Sequence, residues 1–403
     1  MRTRLRTWPA LLILVLLAAM MGSSRMHASQ TGSCGGQLTT LPFDDVLPGN
    51  VFFCAIAEAY FSGLSNGTTG TAYSPSADVS REQMAAFITR TMDQSLRRRS
   101  KRAALNQYWT AETDNALTPV GALPRLIQSD GTDVWVASLT SKTVSRVRAN
   151  DGKLVDTWTG ASGAFGVLCA MGKVFVTGST SPGALYQIDP TQAGGPVTTV
   201  SGSLGSSPIG IGYDGQRIWT ANAGPLGSVS IITLNPTSTT TVTTGFNSPQ
   251  GVIFDGRNIW VTDDIPGTTD KLYKLDSTGA ILLSVDVGSQ PAFPAFDGTN
   301  IWVPNLGSHT VSVVRAGGGL DGTVIATLSG NGLTGPTQAA FDGERILVTN
   351  FGGGDSVSLW TATDLTPIGV FSTGIGTLPL GACSDGLNFW VTFFTTPGSL
   401  ARF

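Results

Sequence analysis

A seven-residue motif built around Asp-Gly recurs along most of this chain and constrains its fold more than any other feature. Successive copies begin 40, 44, 41, 42, 45 and 43 residues apart. Each copy joins a turn-forming Asp-Gly pair to an apolar run of β-branched and aromatic residues, a pattern typical of a hairpin entering a strand. The copies are DGTDVWV (130–136), AMGKVFV (170–176), DGQRIWT (214–220), DGRNIWV (255–261), DGTNIWV (297–303), DGERILV (342–348) and DGLNFWV (385–391).

The period of these repeats indicates the architecture. Units of about 40–45 residues, each with four short strand signals, predict β-propeller blades, because one unit cannot bury its apolar face alone and a closed ring removes exposed sheet edges. A proline lies six residues before the motif in six of the seven copies, where a strand begins and no ladder donor is needed. These residues are Pro124, Pro208, Pro249, Pro291, Pro336 and Pro379, with Ala164 in the second copy. We therefore predict a mainly β protein whose residues 107–403 form a seven-bladed β-propeller.

The seventh repeat is incomplete, because the chain ends at Phe403 within the third strand of that repeat. The segment NALTPVGAL (115–123) precedes the first repeat, and QYWTAET (107–113) lies just before it. We predict that this segment supplies the missing fourth strand, so that both ends of the propeller meet in one blade. The alternative for 107–123 is a plain linker.

The first 28 residues are organised like a secretion signal. Three arginines precede an apolar run over residues 10–21, and small residues follow it. The run is short for a membrane span, although an uncleaved anchor helix is the alternative. We expect a secreted protein of the cell envelope or cell surface, with no integral membrane span after cleavage.

The four cysteines agree with export. Cys34 and Cys54 lie in one small N-terminal unit and form a possible disulfide in an oxidising compartment. Cys169 and Cys383 belong to the second and seventh repeats, which are not neighbours in the ring, so a bond between them would need too short a reach. We expect these two to be buried free thiols.

Charge is distributed unevenly along the chain. Residues 1–102 carry eleven Lys and Arg against six Asp and Glu, whereas residues 103–403 carry thirteen against twenty-one. An acidic propeller lacks the basic footprint that nucleic-acid binding needs, so no nucleic-acid partner is expected.

Residues 34–96 read as two short helices joined by a turn-rich loop. Asn50 is placed to cap the first helix, whose apolar stripe includes Phe53 and Ile56. Ser80 begins the second helix, and Gln83 follows three residues later as a capping box.

Four ordered motifs in this segment together resemble an S-layer homology (SLH) domain. They are FDDV (43–46), GLSNG (63–67), YSP (73–75) and VSREQMAAFITR (79–90). The resemblance implies attachment to a cell-wall polysaccharide or to peptidoglycan. The family's threonine-arginine-acid step corresponds to Ser80, Arg81 and Glu82, with serine in place of threonine, and Arg81 would pair with an anionic group of the wall. Only one copy is visible, whereas wall-binding members commonly carry three.

A basic run occupies the linker at residues 97–106. A solvated helix end, a contact with an anionic wall polymer or lipid headgroup, and a dibasic protease site are all compatible with it. As accessory wall contacts the candidates are Arg97, Arg98, Arg99, Lys101 and Arg102.

The propeller repeats resemble the YVTN-type surface-protein propellers, which are broadly related to NHL-like propellers. Such a likeness is architectural and does not specify a function. One histidine, His309, cannot build a histidine metal cluster, so no cofactor or metal is expected. The acidic loop with Asp263, Asp264 and Asp270 is a weak calcium candidate, because its spacing matches no established loop. A site unique to one place in the ring is expected in the non-repeating loops 223–227, 263–270, 317–322 and 351–355.

These observations predict a non-enzymatic binding or scaffold protein, with an SLH-like unit (34–96) attached to the wall and a propeller that presents an unknown ligand site. The first alternative is a lyase-type propeller enzyme that uses carboxylates and a divalent metal. The second is a structural envelope component that self-assembles through the N-terminal unit.

Overall fold

The computed structural model describes residues 29–34, 37–61, 65–81, 83–85, 87, 117–267 and 269–403. The chain divides into two compact units, residues 1–109 and 110–403. The predicted secretion signal and the basic run at 97–102 lie outside the described residues.

The second unit is a seven-bladed β-propeller, as predicted, and each blade is a four-stranded antiparallel sheet. From the inner to the outer edge, blades 1 to 4 contain β4 (Pro124–Ser129), β5 (Asp133–Ser138), β6 (Thr143–Arg148) and β7 (Leu154–Thr159); β8 (Ala164–Ala170), β9 (Lys173–Gly178), β10 (Gly183–Ile188) and β11 (Thr198–Leu204); β12 (Pro208–Tyr213), β13 (Ile218–Asn222), β14 (Ser228–Leu234) and β15 (Thr237–Val242); β16 (Pro249–Phe254), β17 (Ile259–Asp263), β18 (Lys271–Leu275) and β19 (Ile281–Asp286).

Blades 5 to 7 continue the ring in the same order. They contain β20 (Ala295–Phe296), β21 (Asn300–Asn305), β22 (Thr310–Arg315) and β23 (Val324–Leu328); β24 (Pro336–Phe341), β25 (Arg345–Asn350), β26 (Ser356–Thr361) and β27 (Pro367–Ser372); β28 (Pro379–Ser384), β29 (Phe389–Phe393), β30 (Gly398–Arg402) and, out of chain order, β3 (Thr118–Val120). A short 3₁₀ helix, Gly318–Leu320, lies between β22 and β23.

The strand β3 closes the ring. It lies within the segment 115–123 and pairs antiparallel with β30, with Thr118 opposite Leu400 and Val120 opposite Gly398. The Thr118 hydroxyl also donates to the carbonyl of Gly152 in blade 1. Blade 7 is therefore built from both ends of the propeller segment.

The Asp-Gly motif is a structural device of each blade. In blade 4 one carboxylate oxygen of Asp255 accepts the backbone N–H groups of Arg257 and Asn258 at 2.7 and 2.6 Å, and the other accepts the indole N–H of Trp260 at 2.7 Å. A buried indole N–H needs an acceptor, and this aspartate supplies one inside the core. The same Asp–Trp bond recurs in blades 1, 3, 5 and 7 at 2.7–2.8 Å: Asp130–Trp135, Asp214–Trp219, Asp297–Trp302 and Asp385–Trp390.

The two blades that lack this bond have changed the tryptophan as well. Blade 2 has Ala170 in place of the aspartate and Phe175, which has no N–H to satisfy, in place of the tryptophan. Blade 6 keeps Asp342 but has Leu347, and there the aspartate accepts from the Arg345 side chain at 2.9 Å. The repeat thus conserves satisfied polar groups rather than single residue types.

Threonines of the second strands connect neighbouring blades. The Thr392 hydroxyl accepts the N–H of Gly381 at 2.8 Å within blade 7 and donates to the carbonyl of Arg125 in blade 1 at 2.8 Å. Gly381 has to be a glycine, since a Cβ there would lie 2.3 Å from the same Arg125 carbonyl. Thr262 and Thr349 make the equivalent donations to the following blades, at 2.7 and 2.8 Å.

The N-terminal unit contains a hairpin, β1 (Gln30–Cys34) and β2 (Gln37–Leu41), and the helix α1 (Phe53–Phe61). The Asn50 side chain accepts the N–H of Phe52 at 2.9 Å at the start of α1. Cys34 and Cys54 form a disulfide that joins the hairpin to this helix. Buried apolar residues of both elements form its small core: Leu41, Phe43, Val46, Phe53, Ile56 and Ala57.

Within the part of the chain that the structure describes, no helix has the length and hydrophobicity needed to cross a membrane.

Candidate ligand site at the mouth of the central channel

The inner strands of all seven blades surround a central channel with a cavity of about 340 Å³. Its walls are mainly small and apolar residues such as Val167, Gly251 and Ala339. The one thiol in these walls, Cys383, is buried in the core, and burial raises its pKa well above the ordinary value, so it is not a ready nucleophile. The channel itself therefore offers little chemistry.

A second cavity, of about 260 Å³, lies where the inner strands begin, and we call it the channel mouth. Part of its wall comes from the residue that follows the repeat proline, a position at which each blade carries a different side chain. The members of this ring that line the mouth are Arg125, Phe165, Gln250, Ala292, Thr337 and Leu380. The remaining lining residues are Asp264, Gln290, Pro291, Phe293, Leu306 and Phe351.

Blade 5 departs from the other blades and thereby brings Phe293 to the mouth. The predicted inner strand begins at Pro291, but the observed strand β20 is only Ala295–Phe296, because Pro294 has no N–H for the ladder. The backbone of Phe293 instead bonds to blade 6, donating to Thr337 at 2.9 Å and accepting from Ala339 at 3.1 Å. The Phe293 ring lies 6.0 Å from that of Phe165 and lines both the mouth and the channel.

Arg125 is the cation of the mouth, and two aromatic rings hold it. Its guanidinium lies 4.7 Å from the ring centroid of Phe165 and 4.3 Å from that of Phe394. Burial lowers the pKa of this guanidinium from its ordinary value, although arginine stays protonated in proteins. Its Nε is buried and has no hydrogen-bond partner among the described residues.

The three aspartates of the loop 263–270 have separate roles. Asp263 ends β17 at the position where β13, β21 and β25 end in asparagine, and it accepts the N–H groups of Asn247 and Ser248 at 3.0 and 2.7 Å. Asp270 accepts those of Ile265 and Gln290 at 2.6 and 2.7 Å. Asp264 lines the mouth.

Burial is the main cause of the pKa shifts in this loop. It raises the pKa of Asp263 to about 6 and also raises that of Asp264, with a smaller contribution from Asp270. No group of three metal-ligating side chains occurs in the described part of the chain, and backbone donors already occupy two of the three carboxylates considered for calcium.

The other residues selected from the sequence lie in the N-terminal unit. Ser80 and Gln83 form the predicted capping box, with reciprocal bonds of 2.8 and 3.1 Å. Arg81 is exposed at this helix start, while Glu82 lies outside the described residues. A cavity of about 690 Å³ beside the helix is lined by loop residues such as Asn66, Tyr73 and Asp78, and by Gln83.

Comparisons with known proteins support the fold and nothing finer. No protein-family model matches the chain, and no curated protein sequence matches it. Hydrazine synthase of Kuenenia stuttgartiensis is a structural neighbour with 15% identity and a TM-score of 0.59, covering 72% of this chain and 98% of that one. The WD40 β-propeller domain of Doa1 shares 13% identity with a TM-score of 0.55, covering 73% and 96%. The chain is thus a seven-bladed β-propeller protein, a fold that supports a binding or scaffold role.

Sequence reasoning found part of the mouth and missed its centre. Asp264 and Phe351 lie in two of the four non-repeating loops that were selected. Arg125 and Phe165 were missed because they lie inside the repeat, directly after the proline or its replacement. The available signal was the variability of that one position among seven otherwise similar units.

Proposed function

We propose that this protein is exported to the cell envelope, is attached there by its SLH-like N-terminal unit, and binds a ligand at the mouth of its propeller channel without transforming it. The observation that carries the binding role is the channel mouth, where a ring of seven equivalent positions is occupied by chemically different side chains. Such asymmetry creates one distinct site in an otherwise repetitive ring.

Envelope attachment is supported by the N-terminal unit. Its SLH-like motifs include a capping box that folds as expected, and this places Arg81 exposed at the first turn of the helix. The disulfide between Cys34 and Cys54 agrees with an oxidising compartment. The partner on this side of the molecule would be a wall polysaccharide or peptidoglycan, recognised through its anionic groups.

Co-sedimentation with purified cell-wall sacculi tests the attachment. The chain without residues 1–28 should pellet with sacculi, Arg81→Ala should stay largely in the supernatant, and Arg257→Ala, an exposed arginine of a propeller turn, should pellet like the unaltered chain. A chain beginning at Asn106 should not pellet. Equal pelleting of that propeller chain would transfer wall binding to the propeller, and absence of pelleting in every sample would remove the attachment proposal.

A further inference from the structure

The channel mouth contains two opposite charges that do not neutralise each other, and they indicate its ligand. This inference rests on the proposed binding role of the propeller and names the class of ligand. Arg125 makes no ion pair or hydrogen bond within the described part of the chain, and its Nε is buried. A buried, unpaired cation is costly to the fold, so a site that retains one is prepared for an anion.

The aromatic surroundings of Arg125 hold the cation without cancelling its charge. Phe165 and Phe394 clamp the guanidinium between them, and each ring is supported by a further ring: Phe293 lies 6.0 Å from Phe165, and Phe351 lies 5.8 Å from Phe394. Cation–π contacts offset part of the cost of desolvation but leave the N–H donors free. A guanidinium fixed in this way presents its planar donor edge to a carboxylate.

Asp264 is the second charge. Its neighbours Asp263 and Asp270 direct their carboxylates to backbone N–H groups, whereas the Asp264 carboxylate accepts no hydrogen bond from the described residues. No salt bridge within that part of the chain joins it to Arg125, although both residues line the same cavity. A ligand that carries an ammonium group as well as a carboxylate would satisfy both residues.

The rest of the mouth limits the body of the ligand. Phe165, Phe293, Phe351, Leu306 and Leu380 provide apolar wall, and the cavity of about 260 Å³ is below the usual range for drug-sized ligands, about 300–1,000 Å³. A compact molecule with one apolar group fits this space.

We propose that the channel mouth binds a free α-amino acid with an apolar or aromatic side chain, its carboxylate on Arg125, its ammonium on Asp264 and its side chain among the phenylalanines. Truncated ligands test this on the unaltered protein. In isothermal titration calorimetry, L-phenylalanine should bind about tenfold to a hundredfold more tightly than 3-phenylpropionate, which lacks the amine, or 2-phenylethylamine, which lacks the carboxylate.

Protein variants provide the complementary test. Arg125→Gln and Asp264→Asn should each weaken L-phenylalanine binding by a similar factor, and the loss should be largest for Arg125→Gln. Arg257→Gln, in the turn at the other end of the inner strand of blade 4, should leave binding unchanged. Thermal unfolding of each variant, run alongside, separates lost binding from lost folding.

Three results would overturn the inference: no binding of L-phenylalanine at millimolar concentration, equal binding of the three probes, or binding that survives Arg125→Gln. Wall co-sedimentation of the same samples keeps the two proposals apart. A chain that pellets with sacculi but binds no amino acid refutes only the ligand, whereas a chain that binds the amino acid but does not pellet refutes only the attachment.

Discussion

The Asp–Trp bond of the blades permits a quantitative test, because the chain itself shows how to remove it. Asp255→Ala takes the acceptor from Trp260 Nε1 and from two backbone N–H groups of the turn. Trp260 is fully buried, so its orphaned N–H costs about 1–3 kcal/mol, and the two turn donors add about 0.5–1.5 kcal/mol each. We expect Asp255→Ala to lower the free energy of unfolding by about 3 kcal/mol.

The double variant Asp255→Ala with Trp260→Phe reproduces the solution of blade 2, where Ala170 and Phe175 occupy these positions. Phenylalanine leaves no N–H to satisfy, so the double variant should be about 1–2 kcal/mol more stable than the sum of the single effects. Urea unfolding of the four proteins, followed by tryptophan fluorescence and circular dichroism, measures this coupling.

A matched control pairs Asp255→Ala with Trp302→Phe, which belongs to the corresponding bond of blade 5. Those two changes touch different networks and should add within about 0.5 kcal/mol. If the Asp255–Trp260 pair is equally additive, the aspartate does not serve the indole, and the proposed physical basis of the repeat is incorrect.

Four further predictions concern stability. Asp263→Asn should remove a pH dependence: the pKa of Asp263 is raised to about 6 by burial, so the native state binds the proton more tightly than the unfolded chain, and stability is lost as pH rises from about 4 through 6. The unfolding free energy of Asp263→Asn relative to the unaltered chain should therefore rise by about 2–3 kcal/mol between pH 4 and pH 8, and a flat difference in urea titrations would contradict this. Reduction of the disulfide between Cys34 and Cys54 should destabilise the N-terminal unit by about 3 kcal/mol while leaving the propeller transition in calorimetry unmoved. Thr392→Val should cost about 1–3 kcal/mol by leaving the Gly381 N–H and the Arg125 carbonyl without this hydroxyl, whereas Thr140→Val in a surface loop should change little. A chain that starts at Pro124 lacks β3 and should melt below one that starts at Asp114, and equal melting temperatures would show that closure by β3 contributes no stability.

The fold was predictable from the sequence because its information is local. A recurring Asp-Gly turn, strand-forming runs of fixed length and a period near that of one blade identify a repeat that must stack to bury its apolar faces. The Trp residues of the motif were expected in the core, and all five are fully buried. The inner strand of blade 5 was predicted too long because Pro294 redirects Phe293 to a partner in blade 6, a pairing that no local pattern contains.

The sequence by itself determined a ring of seven blades, its incomplete last repeat and the local capping of the N-terminal helices, since each depends on residues that are near one another in the chain. Only the tertiary structure decided the chemistry of the mouth. Arg125 of blade 1 is clamped by Phe165 of blade 2 and Phe394 of blade 7, and the same cavity takes Asp264 from blade 4. These residues are distant in sequence and meet because ring closure brings equivalent ends of the inner strands to one place, so the site becomes visible only once the ring is closed.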